Sequence, residues 1–261
     1  MSNQQIQKVR VKKLAHVGLW ATDVSTQGRF YRQMLGLDLR LPTDQDIDVE
    51  EANVFLALGE EHHSLALFND TRVIASNGRK PASRTQLHHL SFEVDTDAEM
   101  AALAARLNMA GIEVALGSRD GDPELGDTLW FNDPDGNRIE ISVTSDEYLS
   151  PGANGTRRVL LRPYTLQHVA LYTPRLEEMV DFYTEALGFD ISDWLLRECA
   201  WLRCNNNHHS LLFMQGKQAL DHVGYSIADG SELLRWADYL SRNQIAVLWG
   251  PGRHGAGNDL F

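Results

Sequence analysis

Nine of the ten histidines stand in three kinds of short segment, and each kind occurs twice. His16 lies in LAHVGL and His168 in LQHVAL; His63 lies in HHSLAL and His209 in HHSLLF; His89 lies in LHHLSF and His222 in LDHVGY. A single histidine on an apolar strand is usually a packed or surface residue. Histidines at matching places in several strands are harder to read that way. Two imidazoles and one carboxylate on one face of a metal form the facial triad of non-haem Fe(II) oxygenases. That arrangement leaves neighbouring positions open, enough for a bidentate catecholate and dioxygen. A further neutral imidazole, with a pKa of about 6.5, is suited to taking a proton and giving it back.

These histidines are spaced by an internal repeat. Residues 14–39, LAHVGLWATDVSTQGRFYRQMLGLDL, match 166–191, LQHVALYTPRLEEMVDFYTEALGFDI. Residues 60–69 match 206–215, and 87–94 match 220–227. The offset falls from 152 to 146 to 133, so connections are shorter in the second copy, chiefly around Thr71–Arg84. Each half divides again. The alternating segment at His16 reads as a strand. Asp23 or Ser25 then caps a helix through Phe30 and Leu35 that Gly36 ends. Strands are expected at Asn53–Leu58 and Ser64–Phe68. The order repeats from residue 88, with a helix from about Asp97 to Ala110 and strands near Glu113–Leu116, Thr128–Asn132 and Arg138–Val143. Asp133-Pro-Asp-Gly-Asn is hairpin chemistry. The unit is strand, helix, three strands, used four times. If two units pair, their opening strands lie side by side, and His168 and His222 point into one cup.

Composition narrows the partners. The net charge of -12 over 261 residues argues against nucleic acid, which needs a basic surface. No apolar run approaches the roughly 18 residues of a membrane span. The start, MSNQQIQKVRVKK, carries charge with no apolar stretch behind it, so it does not read as a signal peptide. Cys199 and Cys204 are the only cysteines and lack CxxC spacing; they read as small buried residues in a reducing cytoplasm.

The second half resembles the type I extradiol ring-cleaving dioxygenases of the vicinal oxygen chelate superfamily, the catechol and 2,3-dihydroxybiphenyl enzymes. The segments that carry this are LQHVALYT at 166–173, DFYTEALGFDISD at 181–193, WLRCNNNHHSLLF at 201–213, LDHVGYSI at 220–227 and WGPGRHGAGNDLF at 249–261. The resemblance implies an α+β fold of two tandem domains, each a cupped sheet built from two strand–helix–three-strand units. It places an N-terminal domain at 1–145, a linker at 146–163 and a catalytic domain at 164–261. It implies that His168 and His222 bind Fe(II), or less often Mn(II). His209 would be the acid/base, and His254 would contact the substrate oxygen. His208 is expected to point away from His209, as neighbours on a strand do. The substrates would be a catechol-type diol and O2, and the enzyme a homo-oligomer of aromatic catabolism.

The third ligand of the family is a Glu after a Tyr-Phe-x-Asp-Pro-x-Gly segment. The sequence reaches Phe261 before that segment, so the last unit is expected to be incomplete. In the first half His16, His89 and Glu140 fill all three ligand positions, and His63 matches His209. There, however, Asp120 stands for His254 and Trp130 for the family's Tyr. A glyoxalase-like isomerase or lyase would need a carboxylate within SLALF at 64–68 or SLLFM at 210–214, where none stands. A metal-free ligand-binding protein would not require the four histidines together.

Overall fold

The computed structural model describes residues 9–40, 53–69, 86–118, 126–144, 161–254 and 260. The loop Thr71–Arg84, Asp120 and most of the 146–163 linker lie outside the described residues.

The first half runs β1 (Lys13–Ala21), α1 (Val24–Phe30), a π-helical turn (Tyr31–Leu35), β2 (Asp38–Arg40), β3 (Val54–Ala57), β4 (Leu65–Asn69), β5 (Leu87–Val94), α2 (Asp97–Met109), β6 (Ala115–Ser118), β7 (Asp127–Asn132) and β8 (Arg138–Val143). These strands form one eight-stranded sheet in the order β2-β3-β4-β1-β5-β8-β7-β6. The order is the same read outward from β1 or from β5, as the repeat requires. Each opening strand pairs in parallel with the last strand of its unit, Val17 beside Leu65 and His89 beside Arg138. The helix between them makes the crossover such a pair needs.

The second half runs β9 (Thr165–Thr173), α3 (Leu176–Glu185), β10 (Asp190–Leu195), β11 (Cys199–Arg203), β12 (Leu211–Gln215), β13 (Ala219–Ser226) and α4 (Gly230–Arg242). Its sheet has the order β10-β11-β12-β9-β13, which repeats β2-β3-β4-β1-β5. Among the described residues the fourth unit contributes β13, α4 and an isolated bridge between Arg253 and Leu260.

Local chemistry sets the element ends. Asp23 accepts the Thr26 backbone N–H at 2.8 Å and starts α1; Thr96 does the same for α2 through Glu99 at 3.2 Å. The expected helix through Leu35 is divided, because its last turn widens: Gly36 donates its N–H to the carbonyl of Tyr31. Gly36 itself has φ 72°, a left-handed stop that glycine takes without penalty. On α2, Met100, Leu103 and Leu107 are buried on one face. Between β7 and β8, Asp133 Oδ1 accepts the N–H groups of Asp135 and Asn137 at 3.0 and 2.8 Å. Its Oδ2 accepts Asn137 Nδ2 at 2.9 Å and the Tyr183 hydroxyl at 3.1 Å. This turn fixes where β8, and so Glu140, begins.

By packing, the chain forms two compact units. One comprises Met1–Leu14, His89–Ser145 and Leu171–Gln218. In it Arg106 donates to the carbonyls of Val9 and Ala186 at 2.5 and 3.1 Å, and Arg10 pairs with Asp190 at 2.8 Å. The other comprises Ala15–His88, Asp146–Ala170 and Ala219–Phe261. There Arg162 pairs with Asp38 at 2.9 Å, and Tyr239 donates to the Gln33 carbonyl at 3.1 Å. Among the described residues no helix is long and apolar enough to cross a membrane.

Candidate metal centres

His168 on β9 and His222 on β13 occupy adjacent strands of the five-stranded sheet. Their Nε2 atoms face each other at 2.9 Å, with the rings nearly perpendicular at 87°. The other nitrogen of each ring is engaged by the residue just before it. His168 Nδ1 bonds the side-chain oxygen of Gln167, and His222 Nδ1 lies 2.6 Å from Asp221 Oδ2. A carboxylate or amide oxygen can only accept, so these contacts favour the tautomer with the proton on Nδ1 and a lone pair on Nε2. Two lone pairs this close repel unless a cation or proton lies between them. Cis ligands about 2.1 Å from one metal are about 3 Å apart, so the pair has the spacing and donor chemistry for a divalent ion. The site is half open, with the His222 side chain 40% exposed.

The acid/base candidate His209 is buried, but it precedes β12 and is not on a strand. Its Nδ1 lies 3.1 Å from Nδ1 of His208, so the two rings share a contact and do not point apart as expected. Strand alternation does not apply in this turn, which Asn205 tightens by accepting the Asn207 N–H at 2.9 Å. His254 lies beyond α4, half-buried, with its ring 5.3 Å from that of Trp249. Cys204 is buried and Cys199 half-buried; burial raises both thiol pKa values, which disfavours the thiolate a metal would need.

In the first half His16, His89 and Glu140 bring one ligand atom each to within 4.8 Å of one another. Among the described residues this is the one complete group of three. All are deeply buried, at 3%, 1% and 0% exposure. His89 Nε2 lies 3.8 Å from Glu140 Oε2, and the His63 ring lies 4.0 Å from that of His16. Trp130 stands 5.2 Å from His89, and the Arg138 guanidinium covers its indole at 3.9 Å. Burial lowers the pKa of Arg138, while Glu140 raises it. The hydroxyls of Ser91, Ser142 and Thr128 are buried here without a hydrogen-bond partner.

Sequence reasoning did not single out Gln167, Asp221 or Gly224. The available signal was a difference between copies: Ala15 and His88 stand where Gln167 and Asp221 do, and Ser91 where Gly224 does. His88 stacks on Phe68, with ring centroids 3.9 Å apart.

Residues 13–141 and 165–260 match the Glyoxalase/Bleomycin resistance protein/Dioxygenase superfamily. Metapyrocatechase 2 of Cupriavidus necator is 31% identical over 68% of this chain, and the chain spans 60% of that protein's length. An iron-dependent extradiol dioxygenase of Rhodococcus jostii is 24% identical over 96% of the chain and 83% of its own length. Among solved structures, a Mn(II)-bound glyoxalase from Novosphingobium aromaticivorans superposes with a TM-score of 0.77 at 28% identity, covering 95% of this chain and 76% of that one. With both sheets covered by the match, this chain belongs to the Glyoxalase/Bleomycin resistance protein/Dioxygenase superfamily.

Proposed function

We propose that this protein is an extradiol dioxygenase that opens a catechol-type ring with O2 at a non-haem Fe(II) or Mn(II) centre held by His168 and His222. The observation that carries this is the opposed Nε2 pair at 2.9 Å, each ring oriented through its Nδ1. The domain at 164–261 is the catalytic one in this reading, with 1–145 as its N-terminal companion and 146–163 as the linker. When bound, the metal supplies a Lewis-acidic, redox-active centre for the diol and O2. The protein's own part is proton handling and placement. His209 takes a proton from a diol hydroxyl and returns it during ring opening. His254 contacts the substrate oxygen. β4 (LALFN) and β12 (LLFMQ) carry no carboxylate, which favours ring cleavage over a glyoxalase-type isomerisation. A homo-oligomeric state and a cytoplasmic setting belong to the same proposal.

The His16, His89 and Glu140 cluster favours a second reading, in which the working metal sits in the first half. Trp130 and the Arg138 above it argue against room for an aromatic ring there. Anaerobic Fe(II) reconstitution of the full-length gene product separates the readings. Catechol and 2,3-dihydroxybiphenyl should then give a yellow product with O2 uptake. His222→Ala should abolish both. Loss of activity in His89→Ala with His222→Ala still active would transfer the centre to the first half. No colour and no O2 uptake from the unaltered protein would refute ring cleavage.

A further inference from the structure

Three residues beside the histidine pair each lie against one of its imidazoles. We infer that Gly224, Asp221 and Gln167 are positioning residues that present the Nε2 atoms of His168 and His222 to a divalent cation. The inference rests on the reading of that pair as the metal site.

Gly224 follows His222 by two residues on β13, so the two positions share a face of the sheet. The imidazole of His168 lies directly across this position. A Cβ at Gly224 would overlap Cε1 and Nδ1 of that ring and come within 2.7 Å of its Nε2. These are atoms of a rigid ring, already tied to Gln167 on one side and facing His222 on the other. Any side chain at 224 must therefore turn or lift His168. Here glycine is needed for space, and not for a left-handed backbone.

Asp221 and Gln167 act on the opposite edge of each ring. An acceptor at Nδ1 selects the tautomer whose Nε2 lone pair is free for a metal, and it holds the ring plane. The carboxylate of Asp221 also makes His222 the more electron-rich donor. Losing such a partner costs metal affinity about 10–100-fold. The first half lacks this arrangement: Ala15 offers no acceptor, His88 stacks on Phe68, and Ser91 occupies the place of Gly224.

The test uses the full chain, Co(II) alone as the probe, and long-range proton–nitrogen spectra of the histidine rings to locate binding. Before metal is added, Nδ1 of both His168 and His222 should carry a proton. Asp221→Ala should move His222 toward Nε2–H and weaken Co(II) binding at that ring by roughly 10–100-fold. Asp221→Asn, which keeps an acceptor oxygen, should restore the tautomer and most of the affinity. Gly224→Ala and Gly224→Ser should weaken Co(II) binding at His168 by at least as much, with the melting temperature and circular dichroism unchanged. Gln167→Ala should shift the His168 tautomer. If His222→Ala removes Co(II) from this pair while Gly224→Ala and Asp221→Ala bind as tightly as the unaltered protein, the inference is overturned and the metal-pair reading stands. If Co(II) never perturbs the His168 and His222 signals, the reading fails and the inference with it.

Discussion

The two halves carry histidines at the same strand positions and use them differently. In the first half, His16, His89 and Glu140 close on one another deep in the protein, with Trp130 alongside and Arg138 stacked on it. In the second, His168 and His222 face each other at a half-open site, each steadied by its preceding residue. Strand register preserves where an imidazole emerges. The residues one before and two after it set what the ring touches. The repeat thus places histidines at the same strand positions twice, with different residues beside them.

The comparison is broken most sharply by His222→Ala. It should remove iron retention and ring cleavage together, measured as bound iron and O2 uptake on the same sample, while His89→Ala leaves turnover largely intact. The reverse result would exchange the roles of the halves. His209→Ala should keep its iron and lose roughly 10²–10⁴-fold in turnover, as removal of a general acid/base does. Its counterpart His63→Ala should not change the rate. An iron-free His209→Ala would instead make it a ligand.

A smaller contrast concerns stability. Tyr183 donates to the buried carboxylate of Asp133 at 3.1 Å. Tyr183→Phe should cost about 1.5–3 kcal/mol in urea unfolding, the range for a hydrogen bond to a charged group. The matched Tyr31→Phe should cost less. The smallest effect is in pH. Burial raises the Asp133 carboxyl from 3.8 to about 6, against the lowering effect of its bonds from Asn137 and Tyr183. The folded state therefore holds this proton more tightly than the unfolded chain. The stabilisation it contributes is complete below 3.8 and is lost as pH rises through about 6. Asp133→Asn should flatten that part of the melting-temperature profile; an unchanged slope between those values would assign it to other groups.

Much of this was legible in the residues. Alternation at His16 and His168 marked the opening strands, Asp23 and Gly36 marked a helix start and stop, and Asp133-Pro-Asp-Gly-Asn marked the turn before β8. Those signals are local, and local periodicity reads them well. The histidine pair was legible because a repeat places matched residues on matched strands. What was missed depends on neighbours across strands or on a break in regular structure. Gly224 matters only because β9 lies beside β13, which no spacing within LDHVGY reveals. His208 and His209 escaped because strand parity was applied to a turn. The widening at Tyr31–Leu35 leaves no mark in the apolar pattern.

The Asp133 turn carries a consequence for how the chain can be divided. Its carboxylate is completed by a tyrosine from the other copy of the repeat, and Arg106 reaches across in the same way to the Ala186 carbonyl. A fragment cut within the linker would strand a buried acceptor on one piece and leave a buried phenol without its acceptor on the other. Each piece would then bear the cost of an unmet hydrogen bond, about 1–3 kcal/mol, besides the apolar surface laid bare. Each copy of the repeat thus completes hydrogen bonds of the other, and separating them should lower the stability of both.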